Sequence, residues 1–362
     1  MLDFAVYICI HAFRVQTPPW HILQCVTTIT KMGETLMIRL RTALSLLAAL
    51  ALSATAAHAQ TEIKFGHVGE PGSLLDRSSQ EFAKRVNAKL GDKAKVVVYG
   101  SSQLGSDSDL MKKLRLGTID LALPSTVFSS QVPLFGLFEM PYLVKDRDHM
   151  ARIRDQIVMP SMVPVALKAG YRIIGVWENG FRQITNNKHP IKTPEDLKGI
   201  KLRVPKGEWR VKMFQAYGAT PSPLAFSEVF VALQTGVMDG QENPLAQIDS
   251  ARFYEVQKYL SMTGHVYTPS YVTAGRSWDR LPEDVRKILE DTAKEMQPVA
   301  LKMGAEMDEE LLKKMKAGGI AINEADKDAF IKASGTIYKA FAEQVPEGKP
   351  LIDKALALGK GS

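Results

Sequence analysis

Residues 62–90 read EIKFGHVGEPGSLLDRSSQEFAKRVNAKL. Ile63 and Phe65 alternate with polar neighbours, as in a strand with one buried face. GEPGS then turns the chain, and Leu75, Phe82, Val86 and Leu90 fall on one side of a helix whose N-cap is Ser73. This is a βα unit, and the pattern returns. KAKVVVY is a strand, SDSDLMKKLRLG a helix closed by Gly117, IDLALPS a buried strand ending at Pro124, and YRIIGVW a strand over 171–177. Thr193, Pro194, Glu195 and Asp196 open a short helix, and GIKLRV follows as a strand. A helix over 209–217 stops at Gly218, SEVFVALQTG makes another, and VMDGQENP runs as a short strand into a turn. Alternation of this kind predicts an α/β architecture with mainly parallel sheets. From Pro282 to about Ala317 an amphipathic stretch, interrupted only by Pro298 and Gly304, predicts one long helix laid across two lobes, bent at Pro298.

The front of the chain reads as a targeting segment. Met37–Arg41 is a short basic start, Thr42–Ala57 an apolar middle, and Ala57, His58 and Ala59 a small-x-small cleavage site, so the mature protein is expected to begin at Gln60. The apolar part is shorter than the roughly 20 residues a membrane-crossing helix needs, which predicts export, not anchoring. Both cysteines, Cys9 and Cys25, precede that site. An exported body without disulfides must rest on an ordinary apolar core, and roughly 300 residues suffice for two lobes. Loss of residues 1–59 removes four basic and two acidic groups and takes the formal charge from +7 to +5. Basic and acidic residues are interspersed, so this excess favours small anions and not nucleic acid.

Enzyme signatures are missing: a nucleophile elbow, a zinc-protease helix, a phosphate loop and a dinucleotide fingerprint are all absent. The four later histidines, His67, His149, His189 and His265, lack ligand spacing, so no metal or cofactor is expected. His67 alone ends a strand, where open α/β sheets place ligands. KLRVP, residues 201–205, leaves two readings open. Lys201 and Arg203 share a strand face that solvent alone would explain, yet Arg203 also stands at the carboxyl end of its strand, where a ligand crevice lies. Arg182 and Asn243 stand in comparable places. Two guanidinium groups and an amide would trap a carboxylate, because the planar fork of arginine matches both oxygens.

At these residues the chain resembles the substrate-binding proteins of TRAP (tripartite ATP-independent periplasmic) transporters. The likeness runs in order through SSQLG, LGTIDLAL, MPYLV, NGFRQITNN, TPEDLKGIKLRVP, GATPSPLAFSEVFVALQTGVMDGQENP and FYEVQKYLSMTGH. It implies a bilobed periplasmic-binding-protein fold with hinge strands and a lobe-spanning helix. Lobe I would take 60–179 plus 269–308, and lobe II 180–268 plus 309–362 with the C-terminal helices. The resemblance further implies that Arg203 pairs with a ligand carboxylate, that Arg182 and Asn243 are polar contacts, and that Phe226 lines the pocket. Asp107 and Ser125 fall where such proteins place selective side chains. Ser125 stands where sialic-acid binders use a carboxylate, which argues against that ligand.

The function implied is capture of a small organic acid between closing lobes and delivery to the small and large membrane subunits of a TRAP transporter, by a periplasmic monomer that does not itself span the membrane. C4-dicarboxylates, sugar acids, hydroxy or oxo acids and aromatic acids remain open as ligands. Two rivals stay in view: an exported enzyme acting on an organic acid, with Glu242 or His67 as base, and a sensory module feeding a receptor.

Overall fold

The structure is a computed structural model that describes residues 27, 30–31, 33–35, 37–39, 41–42 and 60–360. The described residues before 43 are helical. The apolar stretch from Ala43 onward and the expected cleavage site after Ala59 lie outside the described residues.

From Gln60 the chain forms one compact unit. Its first strand, β1 (Thr61–Gly66), buries Ile63 and Phe65 as their alternation requires. Helix α1 (Leu74–Leu90) starts at Ser73, whose hydroxyl accepts the Asp76 N–H at 3.2 Å, and covers the strand with Leu75, Phe82 and Val86. Strand β2 (Ala94–Tyr99) pairs parallel with β1, as does β3 (Leu121–Ala122). Between them α2 (Asp107–Leu116) is held at its start by a Ser106–Asp109 capping box and ended by Gly117 at φ 71°. Helix α3 (Arg147–Ile153), a π-helical stretch over 154–162 and α4 (Val163–Lys168) lead back to the sheet.

Strand β4 (Arg172–Asn186) is twice the expected length. Residues 172–181 pair antiparallel with β9 (Tyr267–Ala274), whereas 182–186 pair with β7 (Gly240–Pro244) and 184–186 also with β8 (Tyr259–Met262). One strand therefore belongs to two sheets. The first runs β2–β1–β3–β9–β4. The second runs β4–β7–β5–β6, with β5 (Lys201–Val204) and β6 (Thr220–Pro223), and carries β8 and β10 (Ala321–Glu324) on a branch. These are the cores of a bilobed α/β fold. The expectation of mainly parallel sheets needs correction: β3–β9, β4–β9, β4–β7 and β4–β8 are all antiparallel. Among the described residues parallel pairing is confined to β1–β2, β1–β3, β5–β6, β5–β7 and β8–β10, while the partners of β4 and β9 are set by long-range contacts that local strand–helix alternation does not encode.

In the second lobe α5 (Glu208–Ala216), α6 (Val229–Gln234) and α7 (Leu245–Ser250) fill the intervals between strands. Helix α8 (Glu283–Ala317) runs unbroken for 35 residues through Pro298 and Gly304, packed on β4 and α1. The Trp177 indole N–H donates to the Ala293 carbonyl at 2.9 Å, and Trp177 stacks edge-on to Phe65 and Phe82. Helices α9 (Lys327–Ala333), α10 (Gly335–Gln344) and α11 (Gly348–Leu358) close the chain. The last of them lies on α3, where the buried His149 ring meets the Ala355 carbonyl at 2.8 Å.

Candidate functional site: a buried guanidinium between two sheets

The register change at Phe181/Arg182 puts Arg182 where β4 leaves one sheet for the other. Gly180, at φ 121°, absorbs the irregularity beside it. Such switch points are where α/β sheets leave a crevice. A cavity of about 40 Å³ lies here, lined by Asp107, Ser125, Thr126, Asn179, Arg182, Arg203, Phe226, Asn243 and Gln247, with Val68, Leu75, Val127 and Pro205. Across Asp107, Arg203 and Phe226 it adjoins a second cavity of about 390 Å³. Six of the seven residues expected from the sequence thus meet in one place. His67 does not join them: it is buried, neither ring nitrogen has a hydrogen-bond partner, and Nε2 lies 3.8 Å from Asp76.

The two arginines differ in what neutralises them. Arg182 donates through Nε and Nη2 to the Glu242 carboxylate and through Nη2 to the Asn243 side-chain oxygen at 3.0 Å. Glu242 also accepts from Arg210 Nη1 at 2.6 Å and from His265 Nε2 at 3.0 Å, and Arg210 in turn binds Glu139 at 2.9 Å. Burial alone would raise the Glu242 pKa, but Arg182 and Arg210, with hydrogen bonds from His265 and Arg182, hold it well below the usual carboxylate range. Arg182 is therefore already paired.

Arg203 is only 2% exposed, which rules out the solvated-edge reading of KLRVP. It forms no salt bridge among the described residues. Its Nε and Nη2 donate to the Leu224 carbonyl at 3.1 and 2.6 Å, and Nη1 has no partner. Burial pulls its pKa down to about 9 against the attraction of Glu242, with Arg182 adding repulsion. A buried cation in this state is costly, and an anion placed beside it relieves the cost. Asp107, partly exposed, faces the same space; burial pushes its pKa up to about 6 against the attraction of Arg203.

Sequence reasoning missed Thr126, Asn179 and Gln247. Thr126 Oγ1 and Gln247 Oε1 are buried at the cavity without partners, as is Arg203 Nη1. Asn179 connects this group, donating to Ser125 Oγ at 3.2 Å and accepting from Gln247 Nε2 at 3.3 Å. Ser125 itself donates to the Pro269 carbonyl at 2.7 Å. The signal for Asn179 was its place three residues before Arg182 on the same chain segment, masked because Glu-Asn-Gly reads as a turn. A larger cavity of about 610 Å³ lies on the other face of β4, against Phe181 and Gln183, which alternate with Arg182. Its lining is mainly apolar and contains no orphaned buried cation, so the small cavity carries the chemistry.

A bilobed α/β body whose cavity, at the strand shared by its two sheets, holds a buried arginine without a salt bridge suits a solute-binding protein. The chain belongs to the bacterial extracellular solute-binding proteins of family 7, whose profile matches residues 65–344, and it is of the TRAP transporter type. It is 31% identical over 310 residues, 84% of this chain and 94% of the relative, to the 2,3-diketo-L-gulonate-binding periplasmic protein YiaO of Escherichia coli. Among solved structures, a TRAP periplasmic solute binding protein from Sulfurospirillum deleyianum with bound succinate is 35% identical, with TM-score 0.79 over 83% of this chain and 99% of that one. The sugar acid binding protein DctPAm from Advenella mimigardefordensis, in complex with galactonate, is 31% identical, with TM-score 0.79 over 83% and 98%. The family consists of transport proteins that bind substrates, not of enzymes. Among the described residues no helix is long and apolar enough to cross a membrane.

Proposed function

We propose that this protein captures a small hydroxylated monocarboxylic acid, with Arg203 as the carboxylate anchor, and hands it to the membrane subunits of a TRAP transporter. The observation that carries the reading is the unpaired Nη1 of a buried arginine in the interlobe cavity. Arg182 and Asn243 orient the ligand from a network already neutralised by Glu242. The remaining partnerless atoms, Thr126 Oγ1 and Gln247 Oε1, and the Asp107 carboxyl all accept hydrogen bonds, which suits ligand hydroxyls. A second ligand carboxylate in the small cavity would meet Asp107 and find no second cation without an acid partner there, Lys206 lining only the adjoining cavity. This favours aldonate-like or hydroxy acids over dicarboxylates, and the galactonate bound by one relative is of that kind. Phe226 and Val127 supply apolar walls. Neither Glu242 nor His67, the bases an enzyme reading would use, lines the cavity.

An exposed arginine–carboxylate pair is worth only about 0 to 1 kcal/mol, so capture depends on enclosure. The ligand enters between open lobes, and closure about β4, the strand shared by both sheets, removes water and strengthens the pair. The lobes comprise 60–179 plus 269–308 and 180–268 plus 309–362. The protein acts in the periplasm after cleavage following Ala59. Mass spectrometry of acid released from gently denatured protein, followed by calorimetry with hydroxy monoacids and dicarboxylates, tests the reading. Tighter binding of a dicarboxylate than of any hydroxy monoacid would refute the ligand class.

A further inference from the structure

At the outer end of the first lobe, a cleft of about 450 Å³ is lined by Arg115, Lys168, Arg172 and Arg276. Arg115 ends α2, Lys168 ends α4, Arg172 begins β4, and Arg276 follows β9. Along β4, Arg172 is seven residues from Asn179, roughly 23 Å at strand rise, so the cleft is separate from the ligand cavity. The single acid in the lining is Asp279, which lies 3.9 Å from Arg286. None of the four cations forms a salt bridge among the described residues. Arg172 lies 5.9 Å from the Trp278 ring, and Arg115 leans on the neutral Tyr171 hydroxyl. A fifth cation, Arg280, donates to the Gly117 carbonyl at 2.8 Å beside them.

One cation at each helix C-terminus is what the helix dipoles favour, and that accounts for Arg115 and Lys168 alone. It does not account for Arg172 and Arg276, nor for the exposed Leu167, which lines the cleft, and Leu116, which follows Arg115 in the chain. Leu116 is 69% exposed directly after Arg115, and Leu167 is 45% exposed directly before Lys168. Unpaired cations interleaved with exposed leucines match a phospholipid surface, whose phosphates take the charges while its interfacial layer takes the side chains. A soluble phosphate would use the cations and leave the leucines in water.

We propose that this face of the first lobe docks weakly and reversibly on an anionic phospholipid membrane, so that the protein searches for its transporter along the bilayer surface. Docking is independent of which acid fills the cavity. The test is sedimentation of the purified chain with vesicles of phosphatidylglycerol and phosphatidylethanolamine, and with phosphatidylcholine alone, in low and in 0.5 M salt. Binding to the anionic vesicles is expected, with loss in high salt. Arg115→Glu/Lys168→Glu should weaken it more than 25-fold, at about fivefold per charge removed and further for each reversed. Leu116→Ser/Leu167→Ser should weaken it while ligand affinity stays unchanged. Equal binding of wild type and charge-reversed protein, or tight binding of inorganic phosphate with no vesicle association, overturns the proposal. So does loss of transport in the charge-reversed protein without any vesicle binding by the wild type, which would assign the face to a protein partner.

Discussion

At position 203 the alternation of Lys201, Leu202, Arg203 and Val204 reveals two strand faces but not what covers the second one. The Leu224 carbonyl that receives the guanidinium comes from a loop 21 residues away, and strand periodicity cannot place it. Arg203→Lys keeps the charge and loses the fork, and should cost about 2 kcal/mol of ligand affinity by calorimetry. Thr126 and Gln247 were illegible for a related reason: an uncharged side chain becomes a site residue only when burial strips it of partners. His67 offers a separate test. Burial holds its pKa at about 4, below the unfolded value of 6.5, despite the nearby Asp76. Between those values the unfolded chain binds more protons, so this contribution is complete above pH 6.5 and is lost as pH falls toward 4. Thermal or urea unfolding at pH 7 and pH 5 should show His67→Gln losing about 2 kcal/mol less than wild type over that interval.

Among the elements, β1 and the long α8 were readable from hydrophobic period alone, and α1 and α2 because period and caps agree there. Strand β4 was not, because Glu178, Asn179 and Gly180 carry turn chemistry that the structure uses as a bulge inside a continuous strand. Its partner β9 was not assigned at all. Glu178 is fully buried at that bulge, gripped by Arg147 at 2.6 Å and touched by the Tyr267 hydroxyl at 3.2 Å, while Arg147 also reaches Asp308 on α8. This explains Gly304 within α8, since a Cβ there would collide with the Glu178 carboxylate. Gly304→Ala gains roughly 1 kcal/mol of helix propensity in isolation. In the protein it should instead lower stability by about 2 kcal/mol net, read as a reduced melting temperature.

For the whole molecule, two lobes and a long helix followed from chain length, alternation and family resemblance, but the mixed sheet did not. Strand order depends on long-range pairing that local pattern does not encode. Closure around an acid couples binding to stability. A bound hydroxy monoacid at one hundred times its dissociation constant should stabilise the protein by about 2.7 kcal/mol, seen as a raised melting temperature, and at the same concentration Arg203→Lys should cut this to about 1 kcal/mol. Finally, because β4 is stitched without a break into both sheets, no single cut separates the two halves of this protein. A chimera that grafts one relative's specificity onto another must splice at several joints together, and a junction inside residues 178–182 would part Asn179 from Arg182 in the cavity wall along with the scaffold.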